Sequence, residues 1–194
     1  MARSTTVMRH DTHSTTDQAN GWSTKRIAVT ALFCAVAAIA TLFLEFPILP
    51  NVGWLKYDPS GIVALIAGFA FGPATGAVVS VIPYLVHLAT ASGVYGVIMA
   101  VLATFSLVMP AALIYQRDTT YRGAVVGMVV GAVVCIVACV VGNVIVTPFY
   151  TGMPTDAVLG LVVPALLPFN LAKIAINCVV TGIVYKPVIK ALGN

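Results

Sequence analysis

A chain of 194 residues with 60% hydrophobic and only 8% charged side chains, and a mean hydropathy of +1.02, falls outside the soluble globular class, where roughly a quarter of residues carry charge. At about 20 residues per membrane crossing, the spans use up nearly the whole length, and no soluble catalytic domain fits beside them. The formal net charge of +4 comes from basic residues placed singly at span ends rather than in a patch, which argues against a nucleic-acid partner and leaves membrane topology as their meaning.

Residues 1–24 are rich in Ser, Thr, Asp, Arg and His. So little apolar surface cannot offset the entropy of ordering, so a disordered cytoplasmic tail is expected ahead of a membrane domain over residues 25–194. His10 and His13 lie in that tail with no companion ligand for a metal. Lys25-Arg26 then prefaces a first span from about Ile27 to Phe46. A secretory signal peptide opens in the same way, but the length of this segment and the later spans argue for a retained anchor. The first span also carries Ala31 and Ala35 one turn apart, a spacing that lets another helix approach closely and that alanine-rich spans also produce by chance.

A loop follows from Pro47 to Pro59, then a short apolar segment from Ser60 to Phe71. That segment reaches only about 18 Å, so it spans fully only if loop residues join it or the bilayer thins. Gly72-Pro73 makes a tight turn into a third span, Ala74 to about Thr90, which contains Pro83 and His87. His87 has no titratable neighbour in its own helix and reads as a hydrogen-bonded structural histidine rather than a proton relay. A fourth span runs from about Val94 to Tyr115 and a fifth from Gly123 to Thr147, separated by the polar stretch Gln116–Arg122. The sixth lies between about Leu161 and Tyr185, with Pro164 and Pro168 at its start or at a kink near it. Cys34, Cys135, Cys139 and Cys178 all fall in apolar stretches without accompanying His or carboxylate, as small packing residues do.

Orientation follows from the flanking cations. With the N-terminus inside, Arg3, Arg9, Lys25, Arg26, Arg117, Arg122, Lys186 and Lys190 collect on one side and Lys56 alone on the other. The expected fold is therefore all-α, with six transmembrane helices and both termini cytoplasmic. No internal repeat points to an inverted-repeat transporter.

Lys173 is left over, deep in the last span. A lysine at a helix centre costs about 2.5–3.5 kcal/mol on insertion scales, a cost that function usually explains. Asn170 lies three positions earlier on the same face, giving an amide donor and acceptor beside a cation that together can grip a polar ligand. The competing reading has Lys173 snorkelling to an interface while Asn170 bonds a neighbouring helix. Asn143, near the end of the fifth span before Thr147-Pro148, is open to two readings: a contact with Asn170 across the bundle, or a helix-packing hydrogen bond. Glu45, Lys56 and Asp58 are placed near the outer surface, where interface anchoring explains them equally well. Trp54 and Tyr57 in the same loop suit the headgroup level or a lid over a ligand.

Absences narrow the class. The chain has no glycine-rich phosphate loop, no zinc-binding HExxH helix and no GxSxG nucleophile turn, so it has the parts of neither an ATPase nor a hydrolase and is not expected to be an enzyme. No acidic residue lies deep in a span to carry a coupling ion, so energy for transport must come from a partner.

These residues match a family pattern. Thr24-Lys25-Arg26 precedes an alanine-rich first span that ends Glu45-Phe46-Pro47-Ile48, and Leu55-Lys56-Tyr57-Asp58-Pro59-Ser60 opens the second. Phe71-Gly72-Pro73, Pro110 to Tyr115, Asn143 with Thr147-Pro148, and Pro168-Phe169-Asn170-Leu171-Ala172-Lys173 complete it. Over about residues 24–190 the chain resembles the riboflavin-binding S components of energy-coupling factor (ECF) transporters. The resemblance implies a six-helix protein of the cell membrane that binds riboflavin, or a related flavin, in its outer half and needs no other cofactor. It implies three further partner subunits, a transmembrane coupling subunit and two cytoplasmic ATPases. It places Leu55, Tyr57, Asp58, Gly96, Asn143, Asn170 and Lys173 against the ligand, and Ala31 and Ala35 against the coupling subunit. The chain departs from the pattern in two places. Met99-Ala100-Val101 stands where an asparagine is expected, and Pro83-Tyr84 where a Lys-Asn pair is expected. Three alternatives accompany this reading: another small vitamin as cargo, a facilitator working alone, and a membrane structural or assembly protein whose polar residues serve only packing.

Overall fold

The computed structural model describes residues 22–49, 52–90 and 93–192. Residues 1–21, with His10 and His13, lie outside it, so most of the expected tail is not described. Of its last residues, Ser23 caps the first helix and Thr24 opens it. Helix α1 is Thr24–Phe43, three residues earlier at its start than expected, because the Ser23 hydroxyl accepts the Arg26 N–H at 3.2 Å and caps the exposed first turn. It stops before Phe46 because the residue ahead of a proline is pushed to extended backbone. Phe46-Pro47 forms a two-residue strand β1, antiparallel to β2, Lys56–Tyr57.

Helix α2 is Ser60–Phe71, buried along most of its length. Gly72, at φ 86°, makes the turn into α3, Pro73–Val79. The third expected span is not a continuous α-helix: α3 gives way to a 3₁₀ segment, Ile82–Ala89, at Pro83, whose ring fixes φ and removes a backbone donor. Helix α4 is Gly93–Arg117, and α5 is Tyr121–Thr151, capped by Thr120. α5 does not end at Thr147-Pro148 as expected. Pro148 sits so near the C-terminus that only one ladder hydrogen bond is lost, and Gly152, at φ 72°, closes the helix in the left-handed region. A short helix α6, Thr155–Gly160, leads through a π turn, Val162–Leu166, into α7, Leu167–Leu192. Pro164 lies in that turn and Pro168 in the first turn of α7, where the missing N–H is tolerated.

Four helical stretches are long and apolar enough to cross a membrane: Thr24–Phe43, Gly93–Arg117, Tyr121–Thr151 and Val162–Leu192. The remaining two expected spans are the shorter apolar segments Ser60–Phe71 and Pro73–Ala89. Large apolar side chains cover the outside of the bundle, among them Leu32, Val133, Val137, Val163 and Ile183. Exposed apolar surface on this scale matches a hydrocarbon solvent. Inside, Leu65 and Phe69 of α2 pack with Val108 of α4, Met128 of α5 and Tyr185 of α7. Close approach of α4 and α5 rests on Gly127, where a Cβ would lie 2.7 Å from the Ala111 carbonyl oxygen.

A second apolar cluster lies under the first loop. Leu55 and Tyr57 pack on Val158, Leu166 and Phe169, with Ile48, Leu49 and Trp54 around them. The segment between α1 and α2 is thus folded down over the start of α7. Trp54 meets the Tyr150 ring edge-on at 6.0 Å.

Candidate functional site

The β1–β2 pairing sets the pattern of the loop, since successive strand side chains point to opposite faces. Lys56 is exposed and pairs with Glu45 at 2.7 Å, whereas Tyr57 is buried. Asp58 follows. Of the readings open to it, anchoring at the interface beside Glu45 and Lys56 does not fit a side chain only 6% exposed. At the head of α2 its Oδ1 accepts both the backbone N–H and the hydroxyl of Ser60. Its Oδ2 accepts Lys173 Nζ at 3.1 Å. Burial pushes the Asp58 carboxyl up, but the Lys173 ammonium and the Ser60 hydrogen bonds outweigh it and hold the group below its ordinary range.

Asn170, Lys173 and Asn177 lie at i, i+3 and i+7 on α7 and share one face. They are 4%, 9% and 2% exposed. Lys173 does not snorkel. Its ammonium is turned into the bundle and satisfied by Asp58, which joins the first loop to the last helix. Asn170 donates Nδ2–H to the Leu166 carbonyl at 2.7 Å, the last carbonyl of the π turn. The Asn177 Oδ1 accepts the Tyr57 hydroxyl at 3.2 Å. All three border a cavity of about 10 Å³, room for about one water, which Thr104 of α4 also lines, with Leu107, Cys135 and Ile174 as apolar wall.

A chain of hydroxyls backs this cavity. The Ser60 Oγ lies 2.6 Å from the Tyr84 hydroxyl, which lies 2.5 Å from Thr104 Oγ1. Tyr84, noted above as a departure from the family pattern, is fully buried. His87 is also buried, and its Nε2 shares a 2.7 Å hydrogen bond with Thr41 Oγ1 that ties the 3₁₀ segment to α1.

The structure therefore gathers Tyr57, Asp58, Asn170 and Lys173 around one polar centre, with Leu55 in the apolar cluster under the first loop. Asn143 is not joined to Asn170. Its hydrogen bonds stay within α5: Nδ2–H donates to the Cys139 carbonyl at 2.8 Å and Oδ1 accepts Thr147 at 3.2 Å. Gly96 is half-buried in the first turn of α4 and does not line the cavity. Ala31 and Ala35 lie on the exposed face of α1, on the outside of the bundle. Ser60, Tyr84, Thr104 and Asn177 were missed in the sequence. Asn177 alone had a local signal, its helical spacing from Asn170 and Lys173.

The family model "ECF transporter, substrate-specific component" matches residues 25–185. The riboflavin transporter FmnP of Bacillus subtilis (strain 168) is 26% identical over 173 residues, which cover 83% of this chain and 90% of that protein. The riboflavin transporter RibU of Staphylococcus aureus (strain TCH60) is 29% identical over 105 residues, 54% of this chain and 55% of that one. A solved structure of the S component of a bacterial ECF transporter superposes with a TM-score of 0.75 at 26% identity, covering 87% of this chain and 97% of that one. The chain belongs to the substrate-specific components of ECF transporters.

Proposed function

We propose that this S component captures riboflavin, or a closely related flavin, from outside the cell and delivers it inward through a coupling subunit driven by two ATPases. It performs no covalent chemistry itself. The observation that carries the reading is the ladder of Asn170, Lys173 and Asn177 under the folded first loop. Buried amide and ammonium groups between apolar walls suit the carbonyl and imide edge of a planar ring. The two riboflavin transporters among its relatives support the same cargo.

The cavity of about 10 Å³ is far below the roughly 300 Å³ at which small-molecule pockets begin. Binding therefore requires the loop residues ahead of Asp58 to lift off the start of α7. Six crossings, counting the two short apolar segments, put both termini in the cytoplasm of a cell-membrane protein, consistent with the distribution of Lys and Arg. Ala31 and Ala35 supply a small-residue face on α1 for the coupling subunit.

The test is equilibrium binding of a small vitamin panel to the detergent-solubilised protein, read by quenching of riboflavin fluorescence. Lys173→Ala and Asn170→Ala should each weaken flavin binding while the protein still inserts in membranes. A preparation that quenches no flavin but binds another vitamin replaces the cargo, and unchanged affinity in both variants removes these residues from the site.

A further inference from the structure

The hydroxyl chain behind the cavity has only one direction in which it can be wired. An ionised carboxylate accepts hydrogen bonds and cannot donate, so the proton between Ser60 and Asp58 belongs to Ser60. The Ser60 hydroxyl can then only accept from Tyr84, so the phenol proton lies between those two oxygens. Tyr84 has none left to offer, and the 2.5 Å contact to Thr104 is made by the Thr104 proton. The sequence Thr104 to Tyr84 to Ser60 to Asp58 is thus polarised from end to end by the buried charge.

Thr104 lines the same cavity as Lys173. Its hydroxyl proton is committed to the relay, and among the described residues the Tyr84 contact is the only hydrogen bond of that hydroxyl. Any further hydrogen bond its oxygen makes to a guest must therefore be accepted. Lys173 is the reverse, since an ammonium carries three donors and no acceptor, and one of the three is engaged by Asp58. An acceptor-only hydroxyl and a donor-only ammonium on one cavity select a guest that presents an N–H beside a carbonyl.

We infer that Thr104 is a specificity-determining residue that accepts the ring N–H of the bound imide, with Tyr84 as the positioning residue that keeps its proton out of the cavity. This rests on the flavin reading and names the contact that gives it chemical selectivity. A wrongly paired polar group in a buried site costs more than a missing apolar contact, so a guest without that N–H leaves Thr104 buried and unsatisfied.

The experiment measures dissociation constants of riboflavin and of N3-methylriboflavin, which lacks the imide proton, on wild type, Thr104→Val, Thr104→Ser and Tyr84→Phe. Thr104→Val should weaken riboflavin about tenfold and bind the N3-methyl compound at least as tightly as wild type. Thr104→Ser, which keeps the oxygen, should restore riboflavin affinity. Tyr84→Phe keeps Thr104 but frees its proton, and should narrow the preference for riboflavin over the N3-methyl compound. If Thr104→Val leaves riboflavin binding unchanged, or weakens both flavins alike, Thr104 does not read the imide, and an unaltered preference in Tyr84→Phe removes the relay. A wild-type protein that binds neither flavin overturns the cargo assignment and this inference with it.

Discussion

The Asp58–Lys173 ion pair makes a quantitative test of how the first loop is held. The two groups are 3.1 Å apart and 6% and 9% exposed, so each is the other's main compensation for leaving water. Lys173→Met removes the cation and leaves a carboxylate supported only by Ser60. Asp58→Asn leaves a buried ammonium with a neutral partner. Breaking one side of a buried pair costs about 3–5 kcal/mol, whereas replacing both charges together is often close to neutral. At about 2–4 °C per kcal/mol for a domain of this size, each single variant should melt roughly 6–20 °C below wild type. The Asp58→Asn, Lys173→Met double variant should recover most of that loss and still fail to bind flavin, separating the structural role of the pair from the ligand role of Lys173. The assay is thermal unfolding of all four proteins in one detergent, treated as a double-mutant cycle. Additive single effects, with no coupling between the positions, would refute a buried pair latching the loop to α7.

Three further outcomes follow from particular contacts. Because the folded-state pKa of Asp58 is depressed, its contribution to stability is complete above its unfolded value of about 3.9 and is lost as pH falls through the folded value. The melting temperature should accordingly be flat from about pH 5 to 8 and fall below about pH 4, and an equally steep acid limb in Asp58→Asn would remove Asp58 as its cause. At Gly61 a Cβ would meet the Asn177 Nδ2 at 2.5 Å, so Gly61→Ala should push the Asn177 amide off the Tyr57 hydroxyl and weaken ligand binding several-fold. Wild-type affinity in that variant would mean Asn177 has room to yield. On the exposed face of α1, Ala31→Trp and Ala35→Trp should reduce co-purification with the coupling subunit while leaving ligand affinity intact, and an intact complex would place the coupling surface elsewhere.

The helical class and membrane setting were legible because mean composition and long apolar runs need no tertiary information. Local chemistry also gave Gly72-Pro73 as a turn and Asn170 with Lys173 as one face of α7. Pro83 lies within the expected third span, and its fixed φ and missing donor are a local signal for the break into 3₁₀ geometry found there. In the sequence Asp58 is open to interface anchoring beside Lys56 and Glu45, and alternation along β2 does not reveal that it turns inward to meet a lysine 115 positions away. Asn143 looked suited to meeting Asn170, yet a short amide on a helix can satisfy itself on the preceding turn of its own backbone, and it does.

By itself the sequence determined the solvent, the helical periodicity and the presence of a costly cation in the last span, since each follows from residue type and spacing along one segment. Only the tertiary structure decided which carboxylate neutralises that cation, which hydroxyls line up behind it and which surface of α1 remains outside. Those depend on distances between segments far apart in the chain, and a buried polar group takes whichever partner the packing brings within hydrogen-bond reach.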